Sequence, residues 1–320
     1  MKDKKMYMGL DVGGSKVSAA LVDLKGQMYY LRRHTTPATG QETMDLLLEM
    51  GQELQERASE NGAAIPGVGI GFGGPVDYPN QRLRRSFHKE GWDVNQPLAQ
   101  QLGAAFGLPV RMDNDANTAG LGEALFGAGK GKRKILYINV GTGIGGALIR
   151  QQEIVHGSHS NAGEIGHCVV QRDGKKCACG HNGCLEAYAS GTVMGEKARE
   201  MLKNDPDIDT VLAEKDIAEI TGEAVGDAAV EGDEFAKSIV TEAAEWLGLG
   251  AANACNLWDP DAVIIGGGVS RAGETLMAPF RKAFRAHATR PVAEEIELLL
   301  ARLGYDAGVV GGAALALTTL

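Results

Sequence analysis

The chain has 320 residues, 44% of them hydrophobic and 23% charged, with a formal net charge of -9. That length fills one large α/β domain or two ordinary ones around a well-buried core, and it needs no disulfide staples. The acidic balance weighs against a non-specific nucleic-acid binder, and the lack of any run of 18 apolar residues weighs against a membrane-spanning helix. The opening MKDKKMYMGLDVGG carries basic residues but no apolar stretch of the kind a secretory signal requires. The expected compartment is therefore the cytoplasm, where clustered cysteines serve as metal ligands or catalytic groups more often than as disulfides.

Glycine is bunched, in GLDVGGSK, GVGIGFGGPVD, NVGTGIGG, IIGGGVS and GVVGGAA, and each bunch follows or ends a short apolar run. The pattern predicts strands that open repeatedly into tight turns. MYMGLDVGGSKVSAALVD reads as strand, glycine turn, strand, and residues 41–61 as an amphipathic helix. GAAIPGVGIGFGG supplies a buried strand, residues 97–106 a helix, PVRMDND a strand ending in polar groups, and residues 116–126 a helix. A second strand-turn-strand, KILYINVGTGIGGALI, sets Asn139-Val-Gly-Thr-Gly against Asp11-Val-Gly-Gly-Ser, 128 residues earlier. If this is a repeat, the chain has two similarly built halves facing one another across a cleft. Residues 192–202 and the segment 216–254 read as helical, DPDAVIIGGGVS as a buried strand and triple-glycine turn, and RAGETLMAPFRKAFRAHA and the glycine-led tail as helices.

Both Gly69-x-Gly71-x-x-Gly74 and Gly141-x-Gly143-x-x-Gly146 satisfy the dinucleotide pattern. That fingerprint needs a helix to open at the third glycine, and here extended chain follows in each case. The turns are still able to offer backbone N–H groups to phosphate oxygens, with Asp11 placed to hold Mg²⁺ and Ser15, Lys16 and Thr142 near the phosphates; alternatively they are only tight turns. Asp113, Asn114 and Asp115 lie between a strand and a helix. A carboxylate there is suited to take the proton from an attacking alcohol, or else one of Asn114, Asp115 or Asn117 simply caps the helix.

CACGHNGCLE places Cys177, Cys179 and Cys184 within eight residues, and His167 lies ten residues before the first. Three thiolates and an imidazole meet the tetrahedral demand of structural zinc; a redox pair and no joint role remain the alternatives. Cys168 and Cys255 stand in apolar contexts and are expected to be buried thiols. Glu164 and Glu186 bracket the cluster, and two carboxylates near one cleft suit a polyhydroxylated ligand; the alternative is that each is a solvated surface residue.

The ordered series DVGGSK, GFGGPVD, DNDAN, NVGTGIGG, GEIGH, CACGHNGCLE and PDAVIIGGGVS resembles the ROK family of bacterial sugar kinases and sugar-responsive repressors, and within it the glucokinases. The likeness runs from about residue 7 to 315. It implies an α/β, two-domain actin-like ATPase (ribonuclease-H-like) fold with a cleft between the domains: residues 1–120 plus 307–320 as the small domain, and 121–306 as the large domain carrying the zinc site. It further implies ATP-dependent phosphorylation of the 6-hydroxyl of a hexose, glucose foremost, with Asp115 as catalytic base. By the same resemblance Gly74, Asn114, Glu164, His167 and Glu186 contact the sugar. Asp11, Gly13, Gly14, Ser15, Lys16, Gly141, Thr142 and Gly143 attend the ATP phosphates and Mg²⁺, and Gly266, Gly267 and Gly268 lie by the adenosine. His167, Cys177, Cys179 and Cys184 hold Zn²⁺, and the assembly is a homodimer with neither nucleic acid nor membrane as partner. Ser15 stands where the family usually has threonine, and keeps the hydroxyl. Rival activities are a fructokinase, a kinase of N-acetylglucosamine or N-acetylmannosamine, with the differences expected in loops such as SFHKEGWD, and a catalytically silent sugar-sensing regulator. The last is disfavoured by the intact Asp115, Asp11 and both phosphate turns, and by the expectation that no helix-turn-helix precedes the first motif at residue 11.

Overall fold

The computed structural model describes residues 4–84, 92 and 95–320; the SFHKEGWD loop, apart from Trp92, lies outside the described residues. Strands β1 (Lys4–Val12), β2 (Lys16–Asp23) and β3 (Met28–Thr35) form an antiparallel meander. Helix α1 (Gly40–Glu60) starts at a capping box: Thr39 accepts from the Glu42 N–H, and the Glu42 carboxylate accepts from the Thr39 N–H. One orphan donor of the first turn is thereby satisfied and the start of the helix is pinned. Then come β4 (Ala63–Ala64), β5 (Val68–Phe72), β6 (Val76–Asp77), β7 (Arg82–Leu83) and α2 (Leu98–Phe106), which Gly107 ends in the left-handed region at φ 65°. Strand β8 (Val110–Asn114) runs directly into α3 (Asp115–Phe126).

The chain continues through β9 (Lys134–Val140), β10 (Ile144–Arg150), β11 (Glu153–Ile154), α4 (Glu186–Ala189), α5 (Gly191–Asn204), α6 (Gly222–Glu231) and α7 (Glu234–Trp258). It ends with β12 (Ala262–Gly266), α8 (Glu274–His287), α9 (Arg290–Glu295), β13 (Glu297–Leu300) and α10 (Ala307–Thr319). The segment 216–254, helical by its pattern, is divided. Gly232 closes α6 at φ 105°, and Asp233 starts α7 by accepting from the Ala236 N–H.

Two compact units form, one of Met1–Gly131, Ala147–Ala162 and Tyr305–Leu320, the other of Lys132–Gly146 and Gly163–Gly304. The division expected from the sequence at 120/121 falls inside α3, a continuous helix. In the first unit the sheet order is β3-β2-β1-β5-β8, with β4 beside β1. Strands β1, β5 and β8 are parallel and in register, so that Asp11 pairs with Gly71 and Gly71 with Asp113. Met8, Leu10, Leu21, Leu47, Leu54 and Ile70 are fully buried around this sheet, each worth about 1.5–3 kcal/mol in apolar burial. Helix α10 lies on β1 and β5 so closely that a Cβ on Gly9 would overlap the Val309 carbonyl, and one on Gly69 the Gly312 carbonyl. It also meets α3, where a Cβ on Gly311 would overlap the Thr118 carbonyl. These bare glycine faces let α10 brace both the sheet and the helix that begins at Asp115. In the sheet order β11-β10-β9-β12-β13, β12 is parallel to both β9 and β13.

Candidate active site

In the first unit, the in-register carboxyl ends of β1, β5 and β8 place three segments side by side: the Asp11 turn, Gly71–Gly74, and Asp113–Asp115. Parallel α/β sheets bind ligands at this edge, where the strands release their chains into loops and helices. The first turn is closed by Gly13 N–H donating to the Lys16 carbonyl at 2.9 Å, and it is held from outside by Thr36, whose N–H donates to the Ser15 carbonyl and whose hydroxyl donates to the Gly13 carbonyl. Gly14 and Ser15 face solvent. The Lys16 ammonium sits 4.6 Å over the Tyr305 ring. Asp11 itself is 7% exposed. Burial pushes its carboxyl up to about 7; the Asp115 charge adds to the rise, while Lys16 and Arg33 oppose it. Gly308 of α10 abuts it, with a Cβ there falling 2.5 Å from the carboxyl carbon.

Asn114 caps α3, its Oδ1 accepting from Ala116 N–H at 2.9 Å, and its amide donates to the Gly74 carbonyl at 3.3 Å. Asp115 is the first residue of that helix, and its Oδ1 also accepts from the Ala116 N–H. The capping side chain and the candidate base are thus adjacent residues that share one donor, the Ala116 N–H. Asp113 is buried and points elsewhere: it accepts from Asn114 N–H, from the Asn117 amide, and pairs with His156 at 2.6 Å. Neither His156 nor Tyr78, which stacks on it, carries a sequence signal for this place.

In the second unit, β9 and β10 are joined by the Gly141-Thr142-Gly143 turn, with Gly141 N–H donating to the Gly143 carbonyl at 3.0 Å. Glu186 reaches this turn: its Oε2 accepts from Ile144 N–H at 2.8 Å, and a side chain on Gly143 would strike it. Gly191 N–H donates to the Gly141 carbonyl, so the start of α5 is tied to the same turn. A cavity of about 300 Å³ opens beside it, lined by Thr142, Arg199, Thr221, Glu223 and Val269 among others. Arg199, Thr221 and Glu223 escaped sequence reading because they lie in or beside ordinary helices, outside any motif. Gly266, Gly267 and Gly268 end β12 in close quarters: side chains there would strike Tyr137, the Val140 carbonyl and Glu223 respectively. No helix opens at Gly74 or Gly146, the latter lying within β10.

His167, Cys177, Cys179 and Cys184 offer ligand atoms that all lie within 4.8 Å of one another. Left-handed Gly180 and Gly183 and the bridges Val169↔Cys184 and Lys176↔Asn182 wrap the loop. A tetrahedron with Zn–S bonds of about 2.3 Å has S···S edges of about 3.8 Å. Cys179 and Cys184 Sγ are 3.6 Å apart and Cys177 Sγ is 3.9 Å from His167 Nδ1, so the donor set fits that ion and is too wide for a disulfide, which needs about 2.05 Å. His181, absent from the predicted set, also approaches Cys179 Sγ, at 3.7 Å. Glu164 immediately precedes the short 3-10 turn Ile165–His167. Desolvation raises its carboxyl above the ordinary carboxylate range, the His167 ring opposing and the Glu186 charge adding. Cys255 is buried as expected, whereas Cys168 is exposed. Its apolar neighbour Val169 is itself 57% exposed, so the local apolar pattern there does not mark a core.

A family model described as the ROK family matches residues 7–319. The chain belongs to the ROK family. ROK relatives include a glucokinase of Halalkalibacterium halodurans, 36% identical over 96% of this chain and 94% of the relative, and one of Streptomyces coelicolor, 35% identical over 97% of each. The crystal structure of a ROK family glucokinase from Streptomyces griseus in complex with glucose and AMPPNP superposes with a TM-score of 0.87 at 35% identity, covering 98% of this chain and 99% of that one. The fold is accordingly the actin-like kinase fold of the ROK proteins. Among the described residues, no helix is long and apolar enough to cross a membrane.

Proposed function

We infer that this protein is an ATP-dependent hexose kinase that phosphorylates the 6-hydroxyl of glucose. The observation that carries the reading is the in-register row of Asp11, Gly71 and Asp113 at the carboxyl edge of the first sheet, with Asp115 opening α3 directly beyond it, in a ROK chain similar to glucokinases along nearly its whole length. In the proposed reaction the Asp115 carboxylate takes the hydroxyl proton as the sugar oxygen attacks the γ-phosphorus of ATP and the bond to ADP breaks. A carboxylate already fixed by the Ala116 N–H enters that step with little reorganisation. Asn114, Gly74, Glu164, His167 and Glu186 are the proposed sugar contacts, and the Gly13–Lys16 and Gly141–Gly143 turns the proposed phosphate contacts. The cavity beside Thr142 and the Gly266–Gly268 turn are assigned to the adenosine. Asp11 would hold the Mg²⁺ that accompanies the nucleotide and offsets charge developing on its phosphates.

Zinc on His167, Cys177, Cys179 and Cys184 is proposed as structural. The support is mechanical: two residues after Cys184, Glu186 holds the N–H next to the second glycine turn, so fixing the cysteine loop fixes that carboxylate and turn together. A cytoplasmic homodimer completes the proposal. The test is ADP release with glucose, mannose, fructose, N-acetylglucosamine and N-acetylmannosamine, in the parent and in Asp115→Asn. Glucose should be the preferred acceptor, and the variant should lose about 10²–10⁴ in kcat while still binding it. Near-parental turnover by Asp115→Asn removes the base assignment; no turnover of any sugar by the parent removes the kinase reading and favours a silent regulator.

A further inference from the structure

Three segments distant in sequence meet on the strand that delivers Asn114 and Asp115. Asp113 is buried at the end of β8, and its carboxylate is shared among three groups. Oδ1 accepts from Asn114 N–H at 2.7 Å and from the Asn117 amide at 2.9 Å, and Oδ2 meets His156 Nε2 at 2.6 Å. His156 is itself packed: Tyr78 stacks on its ring with centroids 3.7 Å apart and planes 17° from parallel. The Asp113 charge and burial together raise the Tyr78 hydroxyl above its ordinary value, burial contributing more. From the same loop as Tyr78, Gln81 uses its side-chain amide as a strand would. Its Oε1 accepts from Met112 N–H at 2.7 Å and its Nε2 donates to the Met112 carbonyl at 3.2 Å. Gln81 takes a left-handed φ of 54° to do so, a conformation that glutamine rarely adopts.

The cluster meets the chain on both sides of Asp115. The Asn114 N–H and the Asn117 side chain lie on either side of Asp115 in sequence, and one carboxylate holds both. That carboxylate is buried, so these three partners supply the hydrogen bonds that solvent would otherwise give it. Removing the imidazole leaves a buried charge under-satisfied, and the turn that caps α3 is then free to reorient toward other partners. A shift of about 1 Å in a reacting group is enough to lower a rate a hundredfold.

We propose that the Tyr78–His156–Asp113 cluster is a positioning device that locks the β8–α3 junction, and through it Asn114 and Asp115, in the geometry of phosphoryl transfer. The inference rests on the kinase reading for its effect on rate, but not for its effect on structure. Sugar affinity and transfer rate separate here: a binding pocket tolerates a small displacement of one carboxylate better than an in-line proton transfer does.

The experiment uses His156→Phe, which keeps a ring for Tyr78 to stack on and removes the donor to Asp113, together with the near-isosteric Asp113→Asn and the double variant. Each is assayed well below its melting temperature for kcat and for the KM of glucose and of ATP. Amide hydrogen exchange is followed in the peptide spanning residues 112–118. The expected result is a tenfold to hundredfold lower kcat in each single variant, glucose KM within about threefold, ATP KM unchanged, and a double variant no worse than the weaker single. Faster exchange of the 112–118 amides should accompany the loss. A role in folding alone would lower the melting temperature while leaving kcat per folded molecule intact, and that outcome overturns the proposal, as does kcat within twofold of the parent in either single variant. Should His156→Phe fail to fold, Asp113→Asn decides by the same criteria. If the parent phosphorylates no sugar, it is the kinase reading that fails, and the exchange measurement still decides the lock: unchanged protection in both variants refutes it.

Discussion

Asp11 gives the most quantitative prediction. Its carboxyl is buried against Gly308 and near the Asp115 charge, and this environment moves it from its ordinary value of 3.8 to about 7. Between those two values the folded chain holds a proton that the unfolded chain has released. Stability therefore falls as pH rises from about 4 to about 7, and the deficit persists above that. At about 1.4 kcal/mol per unit, the displacement amounts to roughly 4 kcal/mol at pH 8. Asp11→Asn removes the ionisation and keeps the shape. The variant should be more stable than the parent at pH 8 by up to about 4 kcal/mol, with the gap closing toward pH 4, as read from urea unfolding of both proteins across that range. It should also be inactive if Asp11 holds the nucleotide's metal, and Mg²⁺ with ATP should narrow the gap at pH 8 by giving the parent's charged carboxylate a partner. Parallel curves for the two proteins from pH 4 to 8, or a variant less stable at pH 8, would refute the reasoning.

Two further expectations concern the cysteine loop and the glycine faces. Stripping the metal with a chelator, or Cys184→Ser, should reduce zinc from one per chain to none, lower the melting temperature, and weaken glucose binding measured by calorimetry, because the loop that places His167 and Glu186 loses its anchor. Metal-free protein that binds glucose as the parent does would break this coupling. Gly9→Ala should destabilise the fold by about 3 kcal/mol or more, since the new methyl overlaps backbone of α10 that cannot swing aside, whereas Gly14→Ala, with nothing within 4 Å, should leave unfolding unchanged. Equal unfolding free energies for the two variants would contradict the packing of α10 on β1.

Several parts of the site are legible in the sequence because short-range forces make them. Glycine next to β-branched strands specifies the Asp11 and Thr142 hairpins, and three cysteines within eight residues meet in one loop whatever the rest of the chain does. Helix α3 beginning at the DNDAN motif is equally local, since Asn114 needs only its own next turn to cap it. Strands β3 and β13 left less trace: MYYLRRHT is a half-buried edge and ELLL is four residues long, so neither shows a clean alternation. Apolar neighbours misplaced Cys168 because hydrophobicity records what a residue tolerates and not where a loop lies.

The sequence by itself determined which chemical groups this protein has and the local turns that carry them, since backbone sterics and near-neighbour hydrogen bonds act over a few residues. Only the tertiary structure decided which of those groups stand together. Parallel pairing puts Asp11 level with Asp113, 102 residues later, and α10 returns from the end of the chain to pack on β1, β5 and α3. His156 finds Asp113, Glu186 finds Ile144, and Arg199 joins Thr142 around one cavity. Such meetings are selected by burial of the sheet faces as a whole, a sum over many residues that no short stretch of the chain encodes.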